Sequence, residues 1–409
     1  MQRFLALLTL LLGCSQPVIA SGLADSAWSR TVLLELGNDF FVRDLRELPA
    51  GELLVAGDQL ILPPVTDGGP EPISYNYVQL HEADGSLRWQ VVFPGSGRSM
   101  EYGDIALNAS GTEVFLTGQV KHGQPGLRDL FAAKLSIDGE VNWQLEFSGD
   151  ADLNGRAVAA DGAGGAFVAG LYSSREQRGQ GGLLLRIDRD GEIVWTVQLP
   201  PLPVNALTRL AVHPDGSVTA AGEATGAVAG QQHGQHDTIM VTYSPSGELL
   251  WQLQFGTPAG TQPLELLADD HGLLLMGVVN GALFDSESAA DDVYVARFSF
   301  AGELLWGRQF GGNDNDRPLA LASGGPDSAY AAALFASYAD AYAPVETQLG
   351  LVQVDAGTTI QPGGSKFDGA VGGSTIAQRE LGPVLLLAMN EGAGWLLHEF
   401  NPVLTPAGN

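Results

Sequence analysis

The sequence has almost no cysteine: among its 409 residues the only one is Cys14. This excludes an internal disulfide and leaves the body of the chain without a cysteine nucleophile or a thiolate metal ligand. Basic residues are also scarce, with 20 Lys and Arg against 47 Asp and Glu. The resulting net charge of −27 repels phosphate backbones and anionic lipid head groups. Nucleic acid and anionic membrane surfaces are therefore poor partners.

Two further absences concern secondary structure and chemistry. No apolar run after the first twenty residues is long enough to cross a bilayer, and no stretch shows a long helical period. The sequence also lacks a Gly-x-Ser-x-Gly elbow, a phosphate-binding loop and a dinucleotide fingerprint. Glycosidases have no linear signature, since two carboxylates suffice for their chemistry. A hydrolase or lyase acting on polysaccharide therefore remains the enzymatic alternative, although no catalytic residue is indicated.

The first twenty residues are typical of an export signal. Arg3 precedes an apolar run from Phe4 to Leu12, which is too short to span a membrane. Two cleavage sites compete: Leu11-Leu12-Gly13-Cys14 resembles a bacterial lipobox, and Val18-Ile19-Ala20 resembles an ordinary signal site. We expect lipidation of Cys14, because the only cysteine falls at the lipobox. An outer-membrane lipoprotein is favoured over a freely periplasmic or secreted protein.

An internal repeat is visible in five tryptophans separated by 54, 52, 56 and 55 residues. Each lies four residues after a glycine, in the pairs Gly85 and Trp89, Gly139 and Trp143, Gly191 and Trp195, Gly247 and Trp251, and Gly302 and Trp306. Each unit contains four short apolar runs bounded by Gly, Asp and Ser, which predict strands. Four antiparallel strands per unit, repeated in series, are typical of propeller blades. We interpret the tryptophans as inter-blade packing, with a sugar-stacking ladder as the alternative.

The units can be counted. Five complete units begin near Phe40, Tyr102, Arg156, Leu207 and Pro263. A sixth runs from Pro318 to Phe367 with Gln361 in place of its tryptophan, and three more strands follow at 374–378, 384–389 and 395–400. A lone strand at Trp28 to Leu36 resembles a fourth strand, and we expect it to complete the last blade, so that the ring has no exposed edge.

These counts predict an all-β, seven-bladed propeller of four-stranded antiparallel blades, closed by its N-terminal strand. The predicted divisions are a signal over 1–20, a short linker over 21–26, one propeller domain over 27–404 and a tail over 405–409.

A family resemblance follows from the unit between Asp292 and Asp316, which reads D-x-x-V-A-R-F-S-x-x-G-E-L-L-W-x-R-Q-F-G-G-x-x-x-D. It resembles the bacterial seven-bladed β-propeller repeat family, and the resemblance spans 27–404. It implies the fold but no activity, because that family has no shared catalytic set. The G-x-x-x-W spacing is similar, more distantly, to quinoprotein-like propellers, which include quinone-dependent dehydrogenases and outer-membrane assembly lipoproteins.

The loop lengths distinguish the two faces of the ring. The first-to-second and third-to-fourth turns of the blades are tight, for example at Gly51, Gly85, Gly111, Gly139, Gly191 and Gly216. The second-to-third loops are long and varied, at 60–74, 121–128, 173–181, 224–236, 280–291 and 337–347. Binding residues concentrate on loops held by a rigid scaffold. We therefore predict that the long-loop face is the functional face.

Acidic residues predict a calcium site on that face. Asp150, Asp152 and Asn154, followed by a glycine, match the opening of a loop whose alternate oxygens wrap a hard cation. Asp314 and Asp316 form a related acidic link between two units. A solvated acidic turn is the alternative, and Ca²⁺ is the only cofactor that the sequence indicates.

Two other groups are candidate ligand-binding residues. His233 and His236, beside Asp237, have the chemistry of a transition-metal site. However, Asp237 precedes its tryptophan by fourteen residues, as Asp129 and Asp292 do, which favours a loop-capping role.

The second group consists of Tyr338, Asp340 and Tyr342, with Tyr75 and Tyr77 in another unit. This chemistry suits contact with a glycan or a protein.

The sequence favours a non-enzymatic binding or scaffolding module for a protein or glycan partner in the cell envelope. The alternatives are a polysaccharide hydrolase or lyase and an outer-membrane assembly scaffold. A central channel holding polar residues with shifted pKa values would favour an enzyme. A channel filled by apolar side chains, with a broad exposed apolar patch, would favour binding.

Overall fold

Short apolar runs alternate with turn residues along the chain, and they form strands throughout. The computed structural model describes residues 28–400 except 35, 37–38, 62–72, 94–98, 122–127, 175–178, 285–289, 312–313, 338–345, 357–358, 361–364, 367–370, 380–381 and 391–394. No helix in these ranges combines the length and the apolar character that a membrane span requires.

The strands form seven blades. Their bounds are as follows: β1 (Trp28–Leu33); blade 1, β2 (Phe40–Glu47), β3 (Leu53–Ile61), β4 (Ile73–His81), β5 (Leu87–Phe93); blade 2, β6 (Ser99–Leu107), β7 (Glu113–Lys121), β8 (Arg128–Ser136), β9 (Val141–Phe147); blade 3, β10 (Asp152–Ala160), β11 (Ala166–Ser174), β12 (Gly179–Ile187), β13 (Ile193–Gln198); blade 4, β14 (Asn205–Val212), β15 (Val218–Ala224), β16 (Asp237–Tyr243), β17 (Leu249–Phe255); blade 5, β18 (Gly260–Asp269), β19 (Gly272–Asn280), β20 (Asp291–Phe298), β21 (Leu304–Phe310); blade 6, β22 (Arg317–Gly325), β23 (Ser328–Ser337), β24 (Glu346–Asp355), β25 (Thr359–Ile360), β26 (Ser365–Lys366); blade 7, β27 (Val371–Arg379), β28 (Gly382–Asn390), β29 (Trp395–Phe400).

The predicted fold class is confirmed. Six blades pair their strands antiparallel in chain order, and in blade 7 the order is β1-β29-β28-β27, so the N-terminal strand supplies the fourth strand. The ring is thus closed by hydrogen bonds between the two ends of the chain. Blade 6 has two short pieces, β25 and β26, where the other blades have a full fourth strand. This agrees with the loss of its tryptophan.

The predicted tight turns also form. The six glycines named for them, Gly51, Gly85, Gly111, Gly139, Gly191 and Gly216, have φ between +67° and +89°. Glycine adopts this region at little cost, whereas other residues are strained there.

The repeated tryptophans pack between blades, as predicted. The indole N–H of Trp251 donates to the carbonyl of Phe300 in the next blade, at 2.9 Å. Its ring lies against Gly302, where an added Cβ would stand 2.9 Å from indole carbons. Trp89 repeats the arrangement, with its indole donating to Ile137 at 2.9 Å and its ring against Gly139. The glycines of the third-to-fourth turns in blades 2 to 5 therefore serve their own turns and also receive the tryptophan of the preceding blade.

A second inter-blade contact uses buried cations. Arg297 of blade 5 has no exposed surface, and its guanidinium donates to both carboxylate oxygens of Asp269 at 2.8 Å. It also donates to the carbonyl of Gly325 in blade 6, at 2.7 Å. At the same repeat position, Lys134 of blade 2 donates to the carbonyl of Gly164 in blade 3. The ion pair lies within blade 5, and the hydrogen bonds to the carbonyls of Gly325 and Gly164 are the contacts that join adjacent blades.

We predict that Gly302→Ala destabilises the protein more than Gly111→Ala does. Both glycines have positive φ, +83° and +67°, but an added Cβ at Gly111 meets nothing within 4 Å. The difference between the two losses in unfolding free energy measures the cost of the clash between the added Cβ and Trp251. We expect this cost to be about 1–3 kcal/mol. Chemical denaturation of the two variants measures it. Equal losses in the two variants would contradict the packing role, and in a Trp251→Ala background the difference should disappear.

Candidate functional site

The innermost strand of every blade carries a register shift at the same level. In blades 1 to 5 the extra residue lies near the middle of the strand, and in blades 6 and 7 it lies near the start. The seven residues are Arg43, Gly103, Arg156, Thr208, Leu264, Leu319 and Gly372. Bulges bend a strand and redirect its side chains. The bulges therefore form a ring around the axis of the propeller.

A cavity of about 1200 Å³ lies inside this ring, lined by residues of all seven innermost strands. These strands begin at the long-loop face and end at the tight-turn face. The lining near the tight turns is mostly aliphatic, with Leu107, Ala160, Val212, Leu267 and Ala268. The other half, towards the long-loop face, is charged.

The cavity lining contains five of the 20 basic residues of the chain, of which Arg46 lies at the repeat level of Leu267, nearer the tight turns. They are Arg43, Arg46, Arg156, Arg209 and Arg317, together with the acidic residues Asp44, Asp58, Glu101, Asp104 and Glu265. The chain as a whole is strongly acidic, with a net charge of −27. The lining of this cavity, in contrast, has as many basic as acidic side chains.

An ion-paired group joins blades 1 and 2. The Arg46 guanidinium donates to Asp44 and lies 3.9 Å from an Asp104 oxygen. The Tyr102 hydroxyl donates to Asp44 Oδ2 at 3.2 Å. Asp104 accepts the backbone N–H groups of Ile105 at 2.8 Å and Val158 of blade 3 at 2.9 Å. Both carboxylates stay open to the cavity, with side-chain exposures of 13% for Asp44 and 24% for Asp104.

In this group the pKa values of Asp104 and Tyr102 are both raised above those of free side chains. Burial and the neighbouring Asp44 carboxylate raise the pKa of Asp104 to about 7, against the opposite effect of Arg46. Burial, with the charges of Asp44 and Asp104, holds the pKa of Tyr102 well above its usual value. Near neutral pH the channel can therefore hold or release a proton at Asp104, while Tyr102 stays a hydrogen-bond donor.

Blades 4 and 5 complete the charged ring. Arg209 donates to the backbone carbonyls of Leu264 and Thr208, the latter at 2.6 Å. Glu265 stands next to it, and burial raises the pKa of its carboxyl although Arg209 and Arg46 act in the opposite direction. Hydroxyl-bearing ligands thus meet carboxylate acceptors and guanidinium donors within one cavity.

The predicted calcium loop does not form as a loop. Asp152 and Asn154 lie on strand β10, and Asn154 is buried. Asp152 accepts the backbone N–H of Arg128 in blade 2 at 2.9 Å, an inter-blade contact. Asp150 precedes the strand and is exposed. Asp152 and Asn154 are alternate residues of this strand and point to the same side, but Asn154 is buried and Asp152 is already engaged by the backbone of blade 2.

The carboxylates of the second acidic link accept backbone N–H groups next to or within blade 6. Asp316 is buried and accepts the backbone N–H of Ala336, at 2.9 Å. Asp314 accepts the backbone N–H of its neighbour Asn315, at 2.8 Å. In the part of the chain that the structure describes, no three His, Cys, Asp or Glu side chains are grouped to hold a metal ion.

In the predicted histidine group, the carboxylate of Asp237 is occupied by backbone N–H groups of its own loop. The buried carboxylate of Asp237 accepts the backbone N–H groups of His233 at 2.7 Å and Gly234 at 2.9 Å, and the side-chain amide of Gln254 at 2.7 Å. This is the loop-capping role. His233 is exposed, while Nδ1 of His236 lies 3.8 Å from Glu223, which the sequence did not single out.

Several predicted residues fall outside the described ranges. These are Cys14 and the group Tyr338, Asp340 and Tyr342. Tyr75 and Tyr77 lie on strand β4 rather than in a loop, and Tyr77 is fully buried.

Sequence reasoning missed the channel residues. Relative to the bulge, Asp44, Asp104, Arg209 and Glu265 occupy one repeat position, directly after the extra residue. A charged residue near the middle of the first strand in blades 1 to 5 was the available signal. The repeat was aligned on the tryptophans of the fourth strands, and this alignment does not draw attention to a position on the first strands.

We predict that Asp104 makes folding stability fall as pH rises towards 8. An unfolded Asp has a pKa near 3.9, whereas the folded pKa is about 7, so between these values only the folded state holds the proton. Between pH 5 and pH 8 the wild type should lose about 2 kcal/mol relative to Asp104→Asn, which has no such proton. Denaturant titrations at several pH values measure this. Asp138→Asn, at an exposed hairpin, should follow the wild type; parallel curves for wild type and Asp104→Asn would refute the shift.

Comparison with known proteins identifies the fold only. No protein-family model and no curated protein matches the sequence. Among solved structures, the chain is similar to Pyrococcus horikoshii acylaminoacyl peptidase, at 12% identity and TM-score 0.50, over 88% of this chain and 51% of that one. It is also similar to the β-propeller domain of the trilobed protease from Pyrococcus furiosus (9%, TM-score 0.46, 90% and 94%) and to Drosophila Plexin A in complex with Semaphorin 1b (10%, TM-score 0.49, 92% and 87%). At such identities the similarity establishes a β-propeller and no shared activity.

Proposed function

We propose that this protein is an exported, lipid-anchored binding module that takes part of a glycan into its central channel. The charged ring around the 1200 Å³ cavity carries the proposal. Export and anchoring rest on the N-terminal sequence, which lies outside the described residues.

The lining suits a ligand rich in hydroxyl groups. Sugar hydroxyls are both donors and acceptors, and the channel offers carboxylates, guanidinium groups and the Tyr102 hydroxyl at one level. Ligand pockets for small molecules usually have volumes of about 300–1000 Å³, so this cavity has room for more than one sugar ring. Because the charged half is nearer the long-loop face, a glycan would enter from that side. The predicted functional face is compatible with this route.

We predict that filling the channel abolishes glycan binding. Ala159 lines the cavity on the innermost strand of blade 3, and Ala159→Trp places an indole in the space a ligand needs. Ala163→Trp, on an exposed hairpin of the same blade, is the matched control. Isothermal titration with oligosaccharides from envelope polysaccharides should show binding to the wild type and the control only. Equal binding by Ala159→Trp would place the glycan site elsewhere.

A hydrolase or lyase is the second candidate, and the channel favours it by the criterion set from the sequence, since Asp104 and Glu265 are polar lining residues with raised pKa values. Asp104 holds a proton near neutral pH because its pKa is about 7, while Asp44 is ion-paired with Arg46. Two carboxyl groups on either side of a glycosidic bond can act as acid and base in its cleavage. Release of shorter oligosaccharides during the titrations, lost in Asp104→Asn and declining above about pH 7, would establish catalysis in the channel.

A further inference from the structure

The guanidinium groups of two of the five channel arginines have no partner among the residues that the structure describes. Arg43 pairs with Asp58, Arg46 pairs with Asp44, and Arg209 donates to backbone carbonyls. Arg156 and Arg317 are exposed to the cavity, and neither guanidinium makes a hydrogen bond or an ion pair with any residue in the described ranges. They are thus cations available to a ligand.

These two arginines line the cavity from blades that are not neighbours in the ring. Arg156 is the extra residue of the bulge in blade 3, and Arg317 begins the innermost strand of blade 6. Blades 3 and 6 are three places apart in a ring of seven. Near Arg317 the lining is uncharged, with Pro318, Leu319 and the glycines of blade 7. A ligand that lies across the channel would therefore meet one guanidinium at each end.

The position of Arg156 is fixed by close packing of two innermost strands. Gly155 precedes it, and an added Cβ there would collide with the hydroxyl of Thr117 in blade 2. An added Cβ on Gly103 would in turn collide with the carbonyl of Gly155. Without side chains at these glycines, β6 and β10 approach closely, and the bulge directs Arg156 into the cavity.

We infer that the glycan is acidic, and that Arg156 and Arg317 bind its carboxylate groups. This inference rests on the proposed channel site. A guanidinium fork matches a carboxylate in two parallel hydrogen bonds. The hydroxyl groups of such a sugar would donate hydrogen bonds to Asp44, Asp104 and Glu265, which line the same cavity.

The carboxylates of the channel, Asp44 and Glu265, bear on whether the bound anion is a phosphate or a carboxylate. A dianionic phosphate would double both its attraction to Arg156 and Arg317 and its repulsion by Asp44 and Glu265, so the charges inside the channel give it no advantage over a carboxylate. The acidic exterior, with its net charge of −27, adds to that repulsion along the approach. Uronic acid residues, with one charge per sugar, therefore fit the channel better than phosphorylated sugars.

The test uses oligomers of galacturonate, mannuronate and glucuronate, each beside its methyl ester, in isothermal titration with the full mature chain. The ester retains the sugar and removes only the charge. We expect at least one acid to bind ten times more tightly than its ester. Arg156→Gln and Arg317→Gln should each weaken the acid at least tenfold and leave the ester unchanged. Arg189→Gln, on an exposed hairpin outside the cavity, is the matched control.

The outcomes separate this inference from the channel proposal. If acid and ester bind equally, and only Ala159→Trp blocks them, the channel site stands and the carboxylate assignment is wrong. If a phosphorylated oligosaccharide binds as tightly as the uronates with the same arginine dependence, the preference for singly charged groups is wrong. If no oligomer binds at millimolar concentration, the channel proposal and this inference both fail. Unchanged melting temperatures of the arginine variants exclude misfolding as the cause of any loss.

Discussion

The contact between one blade's tryptophan and the hairpin glycine of the next is the constraint on which the ring depends. A chain with one cysteine has no internal disulfide to hold its blades. The indole covers a large apolar area and donates its single N–H to a carbonyl of the adjoining blade. Glycine is required beneath it both for the positive φ of the turn and for the space that the ring occupies. Each repeat of this contact sets the position of one blade against its neighbour.

The channel is a consequence of that arrangement. Once seven blades stand around one axis, their innermost strands form its wall, and the aligned bulges present one or two side chains per blade to the cavity. Charged residues occur at these positions in blades 1 to 5, and none of them is needed by the inter-blade contacts made by Trp251 or Arg297. The fold can therefore keep its packing while the chemistry at the bulge differs from blade to blade.

The sequence predicts the fold well because packing repeats locally. Gly302 and Trp306 lie close in the chain, and the same pair marks each complete unit. The site is not predictable in this way, because Asp44, Asp104 and Glu265 come from three blades and meet only when the ring closes. The acidic stretch at Asp152 misled for a related reason. Polar residues at the start of an innermost strand accept a backbone N–H of the preceding blade, a role that local sequence does not distinguish from ion binding.

A crystal structure of the chain with a bound acidic oligosaccharide tests the central claim most directly. The account predicts a sugar inside the cavity at the level of the bulges, with carboxylates against Arg156 and Arg317 and hydroxyls against Asp44 and Glu265. An ordered sugar on the outer strands or on the long loops, with the channel free, would contradict it.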